Sequence, residues 1–123
     1  MAEFLMDTSG WVDVTVGRHS LPSQLASDTM VVCTLAVAEL ASIAEQGRVP
    51  RAWVDLMMSE SRIEECLFAD QVEGGLLHGR LRKAGNRKVS IADCIMYCVA
   101  RRLGVPFLMS DRDLQGHPGV IVL

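Results

Sequence analysis

Asp7, Glu39, Asp93, Asp111 and Asp113 are the residues of this 123-residue chain whose type and setting could do chemistry. Asp7 directly follows the apolar run Phe4-Leu5-Met6, and Asp111 and Asp113 follow the run Val105 to Met109. Asp93 sits in the first turn of a helix beginning near Ser90. In an open parallel sheet, ligands bind beyond the carboxyl ends of the strands, which is where all four would gather. Each also has a structural reading. Asp7 could cap the next helix, Ser90-Ile91-Ala92-Asp93 matches a capping box, and Asp111 and Asp113 suit a turn. Glu39 is different, because it interrupts the otherwise apolar stretch LAVAELASIA. A helix apolar on every side is expected to be buried, and a buried carboxylate without a partner costs several kcal/mol. A glutamate reaching the rim is one way out, and a bound cation is the other.

If Asp7, Glu39, Asp93 and Asp111 converge, they cannot all stay ionised in an empty site. Two carboxylates about 5 Å apart repel by roughly 3 kcal/mol at an effective dielectric of 20. Either protons or hard divalent cations must neutralise them. An all-oxygen ligand set selects Mg²⁺ or Mn²⁺ over zinc. Ions held by few carboxylates suit phosphoryl chemistry, where they activate water and stabilise a leaving oxygen. The basic residues are placed to match. Arg80, Arg82, Lys83, Arg87, Lys88, Arg101 and Arg102 fall in one span with Asp93 as its only acid. Arg87 and Lys88, just before Asp93, could meet a phosphate backbone beside the cation. For Arg80, Arg82 and Lys83 a solvated helix face serves equally well.

The elements that must position these groups alternate. Short β-like runs are expected at Phe4 to Met6, Met30 to Cys33, Ile63 to Phe68, Val105 to Met109 and Gly119 to Leu123. Helices are expected from Thr34 to Gln46, ended by Gly47, and from Pro50 through PRAWVDLMMSESR. Two more run from Asp70 to Ala84 and from Ser90 to Leu103. In the last, Ile91, Ile95, Cys98, Val99 and Leu103 form an apolar stripe. Ser9 reads as the cap of a turn after the first strand, and residues 18–28 as a loop. Continuously apolar strands separated by helices imply a parallel sheet buried on both faces. The expected architecture is a three-layer α/β sandwich with a four- to five-stranded parallel sheet, residues 1–123 forming one domain.

Composition narrows the function classes. Half the residues are apolar, which excludes intrinsic disorder, and the net charge of −3 is too mild for a membrane-surface binder. Setting the five acids aside leaves ten acids against twelve bases, so the acidity belongs largely to the proposed site. No apolar run reaches the roughly 18 residues of a spanning helix, and an acid stands where a signal peptide needs a base. A soluble, cytoplasmic protein without membrane partners is expected. Cys33, Cys66, Cys94 and Cys98 read as reduced thiols rather than as a disulfide frame or a metal pair. His19, His78 and His117 are scattered. Surplus apolar surface at Trp53, Leu56, Met57 and Met58 suggests a homodimer through that helix.

The block SIADCIMYCVARRLGVPFLMSDRDL, Ser90 to Leu114, resembles the C-terminal signature of PIN-domain ribonucleases. Met6-Asp7-Thr8-Ser9 is similar to the first-strand motif of that family, and Val37-Ala38-Glu39-Leu40 to its helix-borne acid. The order and spacing of the three blocks fit, so the resemblance spans essentially the whole chain. It implies a parallel sheet between helices. It also implies Asp7, Glu39, Asp93 and Asp111 around Mg²⁺ or Mn²⁺, Asp113 as an extra acid, and Ser9 as a small polar support. Substrate contact is expected from Ser9, Arg87 and Lys88. The implied activity is hydrolysis of RNA phosphodiesters. The implied partners are RNA and, for the many members that are VapBC-type toxins, an antitoxin protein. A stand-alone RNA-processing enzyme and a non-catalytic interaction module are the alternatives. A phosphatase of similar sheet architecture is disfavoured, because Ser9 occupies the place of the second aspartate in its Asp-x-Asp signature.

Overall fold

The computed structural model describes residues 2–25 and 28–123. Met1 of the amino-terminal reading and residues 26–27 of the expected loop lie outside the described residues. Strand β1 (Glu3–Met6) is followed by helix α1 (Thr8–Thr15), a short 3-10 turn at Ser23–Leu25, and strand β2 (Thr29–Cys33). Helices α2 (Thr34–Glu45) and α3 (Arg51–Glu60) lead to β3 (Arg62–Glu64). Helices α4 (Phe68–Lys83) and α5 (Ile91–Leu103) then lead to β4 (Phe107–Met109), and β5 (Val120–Val122) closes the chain. All neighbouring strands are parallel, in the order β3-β2-β1-β4-β5.

That order dictates the layers. The path β1 to β2 to β3 moves outward in one direction, and the return from β3 to β4 passes β1 and moves the other way. Right-handed crossovers therefore put α1, α2 and α3 on one face and α4 and α5 on the other. The sheet between them is apolar without alternation: Phe4, Leu5, Met6, Val31, Val32, Phe107, Leu108 and Met109 are all buried. Burial on both faces is what a parallel sheet requires. The direction in which strands are added to the sheet reverses between β1 and β4, and Met6 pairs with Leu108 there. The ladder extends one step further, with Asp7 N–H donating to Leu108 C=O at 3.0 Å. The first acid is thus fixed at the carboxyl edge of the sheet, at its topological switch point.

Four local expectations need correction. The segment after β1 is an eight-residue helix rather than a turn, and its cap is not Ser9 but Asp7, in keeping with the structural reading of that residue. The third strand covers only Arg62–Glu64, as an edge strand, and α4 begins at Phe68. The apolar stripe on α5 is turned from the expected one. Ile91 is half exposed, while Cys94, Met96, Tyr97, Val99 and Ala100 are buried. The helix packs against both the sheet and α4, so two faces compete for its apolar residues. Finally, α2 is not buried all round: Ala36 and Leu40 face the core, whereas Ala38, Glu39 and Ala41 are exposed.

The contact of α4 with α5 depends on one glycine. A Cβ at Gly74 would lie 2.6 Å from the Cα of Ile95, so the backbones meet there directly. Arg102, part of the expected basic span, serves this side of the molecule. It pairs with Asp70 at 2.9 Å and Glu64 at 3.3 Å, and donates to the Glu65 carbonyl. Its charge is spent on tying α5 to the start of α4, away from the acids. The cysteines are free thiols. Burial pushes the Cys94 thiol up to about 12 and the Cys98 thiol upward as well.

Candidate metal centre and active site

Asp7, Asp93 and Asp111 meet beyond the carboxyl ends of β1 and β4, with one oxygen of each within 4.8 Å of the others. Asp7 has non-helical backbone angles and caps α1, accepting the Gly10 N–H on Oδ1 at 2.7 Å. Gly10 is required for this. A Cβ there would stand 2.6 Å from that oxygen and 3.0 Å from Met6 Cγ. The other oxygen of Asp7, Oδ2, is buried without a hydrogen-bond partner. Asp93 is placed by the cap of α5, where Ser90 Oγ accepts the Asp93 N–H at 3.0 Å. It is the third residue of its helix, so its carboxylate also lies near the positive end of the helix dipole. Asp111 is held by its own turn, accepting the Asp113 N–H on Oδ1 at 3.0 Å.

The electrostatics follow from that crowding. Burial, then the charges of Asp93 and Asp111, push Asp7 from its ordinary 3.8 to about 8, against the pull of the Gly10 amide. Burial and Asp111 push Asp93 up to about 6, with smaller contributions from Glu39 and Asp113, while the Ser90 hydroxyl pulls it down. Asp113 is raised by partial burial and by Asp111, and lowered by Lys88. Two carboxyls with such displaced values and one orphaned buried oxygen describe a site short of positive charge.

The remaining expected site residues surround this triad. Glu39 lies near enough to raise Asp93, yet it is exposed at the rim, where Thr8 Oγ1 donates to Oε1 at 2.8 Å. The burial argument that singled it out therefore does not hold. Its position above the triad comes instead from α2 running beside the start of α1. Ser9 is exposed and lines a cleft next to Asp111. Asp113 stands one turn residue beyond the triad. Arg87 and Lys88 are exposed on the loop before α5, and Lys88 is close enough to act on Asp113.

Three supporting residues escaped the sequence reading. Thr8 orients Glu39, and Gly10 makes room for Asp7. Asn86 organises the basic loop: its Oδ1 accepts from Lys88 N–H and Val89 N–H, each at 3.2 Å, and its Nδ2 donates to the Asp113 carbonyl at 3.2 Å. One side chain thus sets both the entrance to α5 and the turn carrying Asp111. A glycine three residues after an aspartate was the available signal for Gly10. Asn86 had none beyond its type.

The PIN domain family model matches residues 4–119 of the chain. The chain belongs to the PIN domain family. Its fold is shared with a toxin–antitoxin complex from Klebsiella pneumoniae, at 15% identity over 97% of this chain and 96% of that one, with a TM-score of 0.77. DNA-bound VapBC from Salmonella typhimurium aligns at 18% identity over 100% and 98% of the two chains, with a TM-score of 0.78. Mycobacterium tuberculosis VapC20, a sarcin-ricin loop cleaving toxin, aligns at 16% identity over 95% and 96%, with a TM-score of 0.67. At these identities the likeness is one of fold. No curated protein matches the sequence. Among the described residues no helix of this PIN domain is long and apolar enough to cross a membrane.

The donor set suits a hard divalent cation. Asp7, Asp93 and Asp111 offer only oxygen, the orphaned Oδ2 of Asp7 lacks any other partner, and both raised carboxyls would release their protons on gaining a cation.

Proposed function

We propose that this PIN domain is a Mg²⁺- or Mn²⁺-dependent endoribonuclease and the toxin of a toxin–antitoxin pair. The observation that carries the nuclease reading is the Asp7–Asp93–Asp111 triad at the switch point of the sheet, with Asp7 fully buried and one of its oxygens unpartnered. The antitoxin reading is supported by fold relatives described as toxin–antitoxin complexes.

Asp7, Asp93 and Asp111 would hold the ion, with Glu39 at the outer edge and Asp113 as a further acid. When bound, the ion supplies Lewis-acid activation of a water and neutralises charge on the phosphodiester. The chain's own residues do the rest. Asp7 and Asp111 are immobilised through Gly10 N–H and Asp113 N–H, so the charge they present is preorganised. Glu39 Oε1 is occupied by Thr8, leaving Oε2 to accept a proton at the mouth of the site. Ser9, Arg87 and Lys88 are exposed around that mouth and would meet the sugar–phosphate backbone. Of the residues expected at a dimer contact, Trp53 and Leu56 are exposed, whereas Met57 and Met58 pack partly buried against the core. A homodimer would cover the exposed pair together with Phe68, Val72 and Leu76 of α4, where Phe68 is 83% exposed.

The test is cleavage of single-stranded RNA by the purified chain with Mn²⁺ and with EDTA, beside Asp7→Asn. Metal-dependent cleavage that the substitution abolishes is expected. Cleavage that persists in EDTA or in Asp7→Asn would refute the site assignment.

A further inference from the structure

A cleft of about 380 Å³ opens beside the acids, walled by Thr8, Ser9, Glu39, Ile43, Arg48 and Asp111. Asp13 and Arg18 complete its far side, and there the charges cancel. Arg18 Nη1 stands 3.3 Å from Asp13 Oδ1, and His19 Nε2 lies 3.9 Å from Oδ2 of the same carboxylate. Arg48 is different. Among the described residues its guanidinium makes no ion pair and no hydrogen bond, although Glu39 and Asp111 line the same cleft.

The backbone explains why Arg48 is there. Helix α2 ends in a Schellman turn: Gly47 has φ +77°, its N–H donates to Ala44 C=O, and Arg48 N–H donates back to Ile43 C=O. This turn lays the residue after the glycine against the last turn of the helix. Ile43 and Arg48 accordingly form one wall of the cleft. The groove continues over Ala38, Glu39 and Ser42, small or exposed residues on the outer face of α2. A chain lying along it would pass from the triad to Arg48.

We propose that Arg48 is a phosphate-binding subsite for a nucleotide flanking the one held at the acids. The inference rests on the nuclease reading for the identity of the strand. A guanidinium suits the role, since it offers two parallel N–H donors to a phosphate and cannot lose its charge. It also gives the cleft its one uncompensated cation among the described residues, opposite acids that would otherwise repel a polyanion. Arg48 would position the strand and would not act in the chemical step.

The experiment uses the full chain and a short single-stranded RNA with Mn²⁺. Arg48→Ala is expected to raise KM about 10- to 100-fold with little change in kcat. Arg48→Lys should recover part of that loss. Binding is read separately by fluorescence anisotropy in an Asp93→Asn background, which prevents cleavage. There Arg48→Ala should reduce the salt dependence of log Kd by about 0.7, the value for one neutralised phosphate of a single strand. RNAs carrying one uncharged methylphosphonate at successive positions locate the contact. One position should weaken binding to the Arg48 protein and leave binding to Arg48→Ala unchanged. Equal penalties in both proteins, an unchanged salt slope, or a loss in kcat alone would overturn the proposal. An absence of cleavage by the unsubstituted chain refutes the nuclease reading, while the methylphosphonate series still decides whether Arg48 binds phosphate.

Discussion

Replacing Asp7 by Asn should stabilise the metal-free protein, and by an amount that depends on pH. Folding raises the Asp7 carboxyl from 3.8 to about 8. Between those values the folded chain holds a proton that the unfolded chain has released, so stability falls as pH rises. Each unit is worth 1.36 kcal/mol, giving a loss of about 4 kcal/mol by pH 7 and about 6 kcal/mol above pH 8. That is a large share of the 5–15 kcal/mol typical of a domain. Asn keeps the Oδ1 acceptor for Gly10 N–H and places an N–H₂ group where the orphaned Oδ2 stands, facing Asp93 and Asp111. Urea unfolding in EDTA at several pH values is the assay. The two proteins should be about equally stable near pH 4, and Asp7→Asn should lead by about 5 kcal/mol near pH 8. The variant should keep the shallower slope between about pH 4 and pH 6 that comes from Asp93. Added Mn²⁺ should stabilise the unsubstituted chain far more than the variant, because binding to the folded state alone is what stabilises. A flat pH profile for the metal-free protein, or a variant less stable than its parent near pH 8, would refute the reasoning.

Gly10→Ala should reverse the usual gain of a helical Gly→Ala change, costing about 1–3 kcal/mol and weakening the Mn²⁺ response, because its Cβ would fall on Asp7 Oδ1. Thermal melts with and without Mn²⁺ check this. The neighbouring glycines of α4 should separate by sign. Gly74→Ala must push α4 off Ile95 and should cost about 1–3 kcal/mol, whereas Gly75→Ala and Gly79→Ala meet nothing within 4 Å and should gain up to about 1 kcal/mol. Phe68→Asp combined with Leu76→Asp should convert a dimer to a monomer in sedimentation at tens of micromolar, and a parent already monomeric at that concentration disproves the dimer.

The order of helices and strands was legible because the strands are uninterrupted apolar runs and the helix ends carry glycine or proline signals. Boundaries failed where local and tertiary demands diverge. Arg62–Glu64 is polar and shorter than the apolar text after it suggests, since an edge strand needs only one paired side. The α1 helix was hidden because TSGWVDVT combines glycine with β-branched residues of poor helix propensity. It forms because Asp7 caps it and Trp11 and Val12 are buried beneath it. Asp7, Asp111 and Asp113 were identifiable from their positions after apolar runs, and Asp93 from its place in the first turn of a helix. Glu39 was found through an argument that the structure overturns. An all-apolar helix implied burial, but Ala38 and Ala41 are small enough to leave α2 half exposed. Arg48 could not be read at all, because its relevance comes from where the Schellman turn aims it.

Asp7 shows why capping and metal binding need not compete as explanations. The cap uses Oδ1, and the cap is what holds the carboxylate at the end of β1. Oδ2 is left buried and unpartnered, which no capping role requires. A residue serving the helix alone would gain from a solvent-exposed second oxygen, and Ser or Asn would serve as well. Burying that oxygen, and setting it against Asp93 and Asp111, costs the metal-free fold several kcal/mol. Ser90 makes the same division at α5, where the hydroxyl caps the helix and the carboxylate three residues later is free to face the site. In both elements a helix start gives rigidity to the carboxyl group beside it, and at Asp7 one oxygen is left without a partner. The charge deficit is thus built into the two helix beginnings that flank the switch point, where the proposed cation would relieve it.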